Sequence, residues 1–210
     1  MIKREKKQEK VVKIVVLSMV FVIAAIIVFY WLSLESKKFT YGGASFEKTE
    51  SGKITFYNAR FPLVDSSGNV ATNLDVLFKE DPRLLKDIPI EGVIELRQNT
   101  FIAIPNDIWA ENCKDSIVAA TTLSLFLKKA GLTVEPASLN ETDAAKNGVA
   151  QVSCDKASKY SIVVLQNGTD RFIKREGDCY ILQAGANCDI LNVTERFMVG
   201  LYASSKGIEI

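Results

Sequence analysis

IVVLSMVFVIAAIIVFYWLSL, Ile14–Leu34, runs for 21 residues without a charge. As a helix rising about 1.5 Å per residue it reaches roughly 31 Å, the thickness of a bilayer's hydrocarbon core. In lipid only a helix or a closed barrel satisfies its own backbone, and one isolated apolar stretch can only be the helix. The run therefore predicts a transmembrane helix over residues 14–34. A short basic tail precedes it, and a remainder rich in Val, Ile, Leu and Phe follows.

The basic tail, residues 1–13, sets the topology. Lys3, Arg4, Lys6, Lys7, Lys10 and Lys13 stand against Glu5 and Glu9, a net charge of +4, while the residues after the span carry −3. A basic flank stays on the cytoplasmic side, so the expected location is the cell membrane, with the N-terminus inside and the C-terminal domain outside. A cleaved signal peptide fits less well, because its apolar region usually spans about 7–15 residues and ends at an Ala-x-Ala-like site. This run is longer and leaves through Tyr30-Trp31, with only Leu34-Glu-Ser36 as a small-residue site. A type IV pilin or archaellin would need Gly or Ala before the run, where Val11-Val12-Lys13 stands. A nucleic-acid-binding arm is the other reading of the tail, but beside a span the topology signal accounts for the charge, so the lipid bilayer and not nucleic acid is the expected partner. Ser18 and Ala24-Ala25 form a modest small-residue face for helix packing.

Four cysteines follow the run and none precedes it: Cys113, Cys154, Cys179 and Cys188. An even number on the exported side of a membrane reads as disulfides. Three pairings are open, of which Cys113–Cys154 with Cys179–Cys188 is the simplest. No pair has CxxC spacing, which speaks against a thioredoxin-like or zinc-ribbon motif. The chain has no histidine, which excludes Ser-His-Asp and Cys-His catalysis and imidazole metal sites. Three sequons, at Asn140, Asn167 and Asn192, are candidate glycosylation sites on an exported domain.

After a short linker at residues 35–38, residues 39–105 alternate with period two and predict a mainly antiparallel β subdomain. The phase changes after Phe56, which suggests a bulge near Tyr57-Asn58. Val93–Arg97 and Phe101–Ile104 read as strands. Residues 106–210 predict an α/β subdomain stapled by the cysteines. Ile117–Ala130 is helical, apolar over so wide an arc that it should be covered on more than one side, and ends at Gly131. With the strands Phe101–Ile104 and Leu132–Val134 it forms a βαβ unit. Residues 135–159 read as loop. Tyr160–Leu165 is a buried strand, Asn167-Gly168-Thr-Asp a hairpin turn, and Cys179–Gln183 another strand. The last helix carries Ile190, Leu191, Phe197, Met198, Leu201 and Tyr202 on its apolar face. Asn192, Glu195 and Arg196 should then point away. The fold class is α+β.

No constellation points to catalysis, a cofactor or a metal. Ser153-Cys-Asp-Lys156 has the Ser-x-x-Lys spacing of serine–lysine hydrolases, but it reads as loop and lacks the companion Lys-Thr-Gly and Ser-Asp-Asn motifs. Asp75, Glu80, Asp81, Asp87, Glu91 and Glu95 could supply a glycosidase carboxylate pair, yet a solvated face explains them. Asp178 and Asp189 lack EF-hand spacing. Trp109 is a candidate for partner contact, with core packing as the commoner fate.

The stretches YNARFPLVDSSGNV (57–70), FKEDPRLLKDIPIEGVIEL (78–96) and CYILQAGANCDILNVTERF (179–197) resemble a family of small single-pass membrane proteins of genome-reduced DPANN archaea. The resemblance implies an archaeal cell membrane and an exported α/β domain, and it transfers no catalytic residue. The expected function is a non-enzymatic, membrane-anchored extracytoplasmic module that binds or assembles with an envelope protein or a second copy. An envelope hydrolase or glycosidase, or a subunit of a larger membrane complex, is the alternative.

Overall fold

A computed structural model describes residues 16–28, 37–64, 67, 70–105, 113, 115–157 and 159–210. The chain divides into two compact units, residues 1–39 and 40–210. In the first, residues 16–28 form helix α1, with side chains such as Leu17 and Phe21 about three-quarters exposed at 72% and 75%. The described turns span about 20 Å at 1.5 Å per residue. No helix among the described residues is long and apolar enough to cross a membrane. The membrane-spanning helix expected over 14–34 is thus not shown. Residues 14–15 and 29–34, the basic tail 1–13 and half of the 35–38 linker lie outside the described residues.

The second unit is α+β and is built on two sheets. The first is antiparallel, in the order β1 (Lys38–Tyr41), β2 (Ala44–Ser51), β3 (Ile54–Val64), β4 (Val70–Phe78). Alternation puts Phe46, Ala59, Phe61, Leu74, Val76 and Phe78 on one buried face. On the other face Arg60 sits opposite Asp75 and donates to its carboxylate at 2.9 Å. The register runs unbroken through Tyr57-Asn58, and the irregularity falls at Leu63/Val64. Ile54, two residues before Phe56 and in step with it, is 56% exposed and lies beyond the core, so its parity carries no burial signal.

The second sheet has the order β5 (Ile90–Glu91), β10 (Phe172–Glu176), β11 (Cys179–Ala184), β9 (Ser161–Asn167), β6 (Asn99–Ala103), β7 (Thr133–Ser138), β8 (Ala150–Gln151). Neighbours pair in parallel except β10 with β11. The first sheet therefore ends at residue 78, and β5 and β6 belong with the later strands rather than with a 39–105 half. The βαβ unit is present, as β6, helix α2 (Ser116–Lys129) and β7. The hairpin at Asn167–Asp170 is not: β11 lies between β9 and β10. The apolar run of β9, buried from Ser161 to Leu165, suits a strand covered on both faces, whereas FIKRE of β10 suits a position nearer the edge. Val93–Arg97 is no strand; it is a strap held by side chains, as described below.

Residues 135–159 hold more structure than a loop. β7 extends to Ser138, and helix α3 spans Glu141–Asn147. Asn140 caps α3, its Oδ1 accepting from the N–H groups of Thr142 and Asp143 at 2.8 and 3.3 Å, and Gly148 ends it at φ +65°. The last helix, α4 (Ile190–Ser205), packs against β9, β10 and β11 and also against β2. It therefore lies between the sheets and is buried around most of its circumference. Glu195 and Arg196, expected to face solvent, are 1% and 3% exposed. Gly200 admits this packing, since a Cβ there would lie 2.7 Å from Ile90 Cδ1.

The disulfides join Cys113 to Cys188 and Cys154 to Cys179, with Cα separations of 5.2 and 5.4 Å. The sequential pairing is overturned because sheet order differs from chain order. β11 runs beside β9 with Cys179 opposite Ile162, close to the 3-10 turn Cys154–Lys156 that leads into β9. Cys113 and Cys188 stand just before α2 and α4 and tie the two helix starts together.

Candidate functional site

Where the two sheets and the C-terminal ends of α2 and α4 meet, a cavity of about 400 Å³ opens to solvent. Its walls are chiefly Leu63, Ile94, Leu96, Phe126, Leu132 and Leu201. The strap 93–97 closes one side, and the side chains of buried Tyr180 and Ser161 and half-buried Arg175 fix its backbone. The Tyr180 hydroxyl receives the Glu95 N–H at 3.0 Å and donates to the Glu95 carbonyl. Ser161 Oγ receives the Arg97 N–H at 2.9 Å, and Arg175 donates to the Val93 carbonyl at 2.9 Å. The sequence alternation of Ile94 and Leu96 is real, but it aims these side chains at a cavity and not at a sheet core.

The polar groups at the cavity are few. Tyr202 contributes its ring, and its hydroxyl donates to the Pro62 carbonyl at 2.8 Å. Ser205 Oγ donates to the Tyr202 carbonyl at 2.6 Å, and Glu95 stands at the rim with its side chain 73% exposed. Burial raises the Tyr202 phenol, so it is a neutral donor near pH 7. A pocket of this size, mostly apolar with a few oriented polar atoms, has the form of a small-ligand or side-chain receptor.

A second cavity of about 420 Å³ lies at the carboxyl ends of β6 and β7, bounded by Ile102, Pro136, Ser138 and Asn147. The chain moves from β6 outward through β7 to β8, then returns to place β9 on the other side of β6. Such reversals leave a crevice at strand ends.

Among the described residues Glu195 is strongly perturbed. Its Oε1 accepts from the Lys79 N–H at 2.7 Å and its Oε2 from the Glu80 N–H at 3.3 Å. Burial pushes its carboxyl up to about 8; the two N–H groups and the Lys79 ammonium oppose this, and the Glu80 carboxylate adds to it. The Lys79 ammonium is drawn outward to Asp115 at 2.7 Å, so it does not neutralise Glu195 directly. Beside it, Arg196 donates to the Ile88 carbonyl, the Tyr41 hydroxyl and the Ile210 carbonyl at 3.0–3.3 Å. Burial lowers its guanidinium from the usual range. These two residues brace β4, β1 and the last residues against α4, and neither lines the apolar cavity.

The residues singled out in the sequence do not converge. Ser153 is extended and heads a three-residue 3-10 turn in which its carbonyl accepts the Lys156 N–H; this is not the helix face that a serine–lysine pair needs. The carboxylates are dispersed into separate ion pairs, Asp75 with Arg60, Asp81 with Arg83, Asp178 with Arg97 and Asp189 with Arg171. Among the described residues no three His, Cys, Asp or Glu side chains group as metal ligands. Asn140 and Asn167 are exposed, but Asn192 is half-buried and Thr194 of its sequon is buried, donating to the Ile190 carbonyl at 2.8 Å. The third sequon is therefore not the exposed one expected, because α4 has no free face there. Trp109 lies outside the described residues.

No protein-family model, curated protein or solved structure matches the chain.

Proposed function

We propose that this chain is a single-pass, membrane-anchored extracytoplasmic module of an archaeal cell envelope. It binds or assembles and does not catalyse. The observation that carries the reading is the pair of disulfides in the domain after the uncharged run, since structural disulfides persist in exported compartments. The basic tail supports the orientation, and the exposed sequons at Asn140 and Asn167 suit an exported glycoprotein. The apolar cavity behind the strap supplies the binding face. It takes an uncharged apolar group, because its inner walls are chiefly apolar and the Glu95 carboxylate stands at the exposed rim rather than inside.

The test is the native mass of the protein extracted from its own membrane in mild detergent, with co-migrating chains identified. The expected result is retention with the membrane after an alkaline wash and a defined particle larger than the 23.2 kDa chain. Release by that wash, or substrate turnover by the purified chain alone, overturns the reading.

A further inference from the structure

Helix α2 buries only one side. Ala119, Leu123, Phe126 and Leu127 are buried where the helix packs against α4, β7 and β4. On the opposite side Ile117, Val118 and Leu125 are 58%, 51% and 55% exposed, and Thr121 between them is exposed as well. Residues 118, 121 and 125 follow the three-then-four spacing of a helix-packing stripe. The wide apolar arc of this helix is thus covered on one side and left open on the other. A contiguous apolar stripe of this kind marks an interaction surface.

We infer that this stripe pairs with α2 of a second copy, antiparallel. The charges at its ends select the direction. Asp115 precedes the helix, half-exposed and already holding the Lys79 ammonium on its Oδ2 at 2.7 Å, and Lys128 and Lys129 occupy the last turn, exposed. A two-fold axis between Thr121 and Thr122 sets Val118 against Leu125 of the second copy, and Asp115 against its Lys128. Parallel pairing would set Asp115 against Asp115 and Lys128 against Lys128. Antiparallel pairing also aligns the helix dipoles favourably, and the small Thr121 at the crossing lets the backbones approach. This surface gives the assembly reading above a specific partner and rests on it for its setting. Copies held in one membrane meet at high local concentration, so a modest helix–helix contact suffices.

The test uses the full chain in mild detergent, as a mixture of ordinary and ¹⁵N-labelled copies, treated with a carbodiimide that joins carboxylates to amines in contact. Asp115 to Lys79, 2.7 Å apart within one copy, is the internal control. Asp115 and Lys128 of one copy are separated by about 20 Å along the helix axis, so they cannot link within a copy. The expected product is an Asp115–Lys128 peptide pair of mixed isotope, falling at least tenfold in yield in Leu125→Lys while the control link and the melting temperature are kept. Overturning results are the control link without a mixed-isotope link at any concentration, or a mixed link that survives Leu125→Lys. A larger native particle without the link would remove this surface and leave the assembly reading standing.

Discussion

Glu195 decides how the molecule responds to pH. Its folded-state value of about 8 lies above its ordinary 4.5. The folded protein therefore binds this proton more tightly than the unfolded chain does. The stability it confers is complete below about pH 4.5 and is lost as pH rises to about 8. The loss is at most about 5 kcal/mol, at roughly 1.4 kcal/mol per unit of difference. The chain has no histidine, so no unperturbed side chain titrates across pH 5–8 to obscure the effect. Denaturant unfolding under non-reducing conditions should show stability falling steadily from pH 5 to 8, and Glu195→Gln should flatten that slope. A wild-type curve that is flat or rises over this range contradicts the assignment. None of this was legible in the sequence. A Glu-Arg pair on a helix reads as its solvent face, and only the presence of sheets on two sides of α4 makes it a buried brace.

At the scale of elements, α3 shows a signal present in the sequence and outweighed. Asn140 followed by Glu141, with Gly148 after the last turn, is a start and a stop, but the segment is short and polar and reads as loop. Its stability rests largely on the cap, because a helix this short has few bonds of its own. Asn140→Ala should cost about 1 kcal/mol and speed amide exchange across residues 141–147, measured by hydrogen exchange. Unchanged exchange there would show that packing, not the cap, holds the turn. Other elements were plain in the sequence. The alternation of Leu74, Val76 and Phe78 matches the buried face of β4, the apolar run after Tyr160 is the two-sided strand β9, and the change of period at Cys113 marks the βαβ unit. The strap 93–97 reads as a strand in the sequence because alternation reports side-chain direction and not whether a neighbouring strand exists to pair with. The cavity that the strap closes was therefore out of reach as well.

At the scale of the whole molecule, the disulfides join parts that are distant in the chain. They close separations of 75 and 25 residues, which in the chain-entropy model gives about 4 and about 3 kcal/mol taken one at a time. The longer one binds the start of α2 to the start of α4 across the middle of the fold. Replacing Cys113 and Cys188 together by alanine should lower the melting temperature more than replacing Cys154 and Cys179 together, as read by circular dichroism. The reverse order would contradict the entropic account. The cysteine count was enough to expect staples, but not their pairing, which depends on a strand order that chain sequence does not encode locally.

In the proposed topology the disulfide-bonded domain stands outside a membrane whose inner side holds the basic tail. Labelling of lysines in intact cells with a membrane-impermeant amine reagent, followed by peptide mapping, tests it most directly. That topology predicts label on Lys48, Lys128 and Lys129 in intact cells, and on Lys3–Lys13 only after lysis. Label on the basic tail first, or on no part of the chain until the cells are broken, would contradict it.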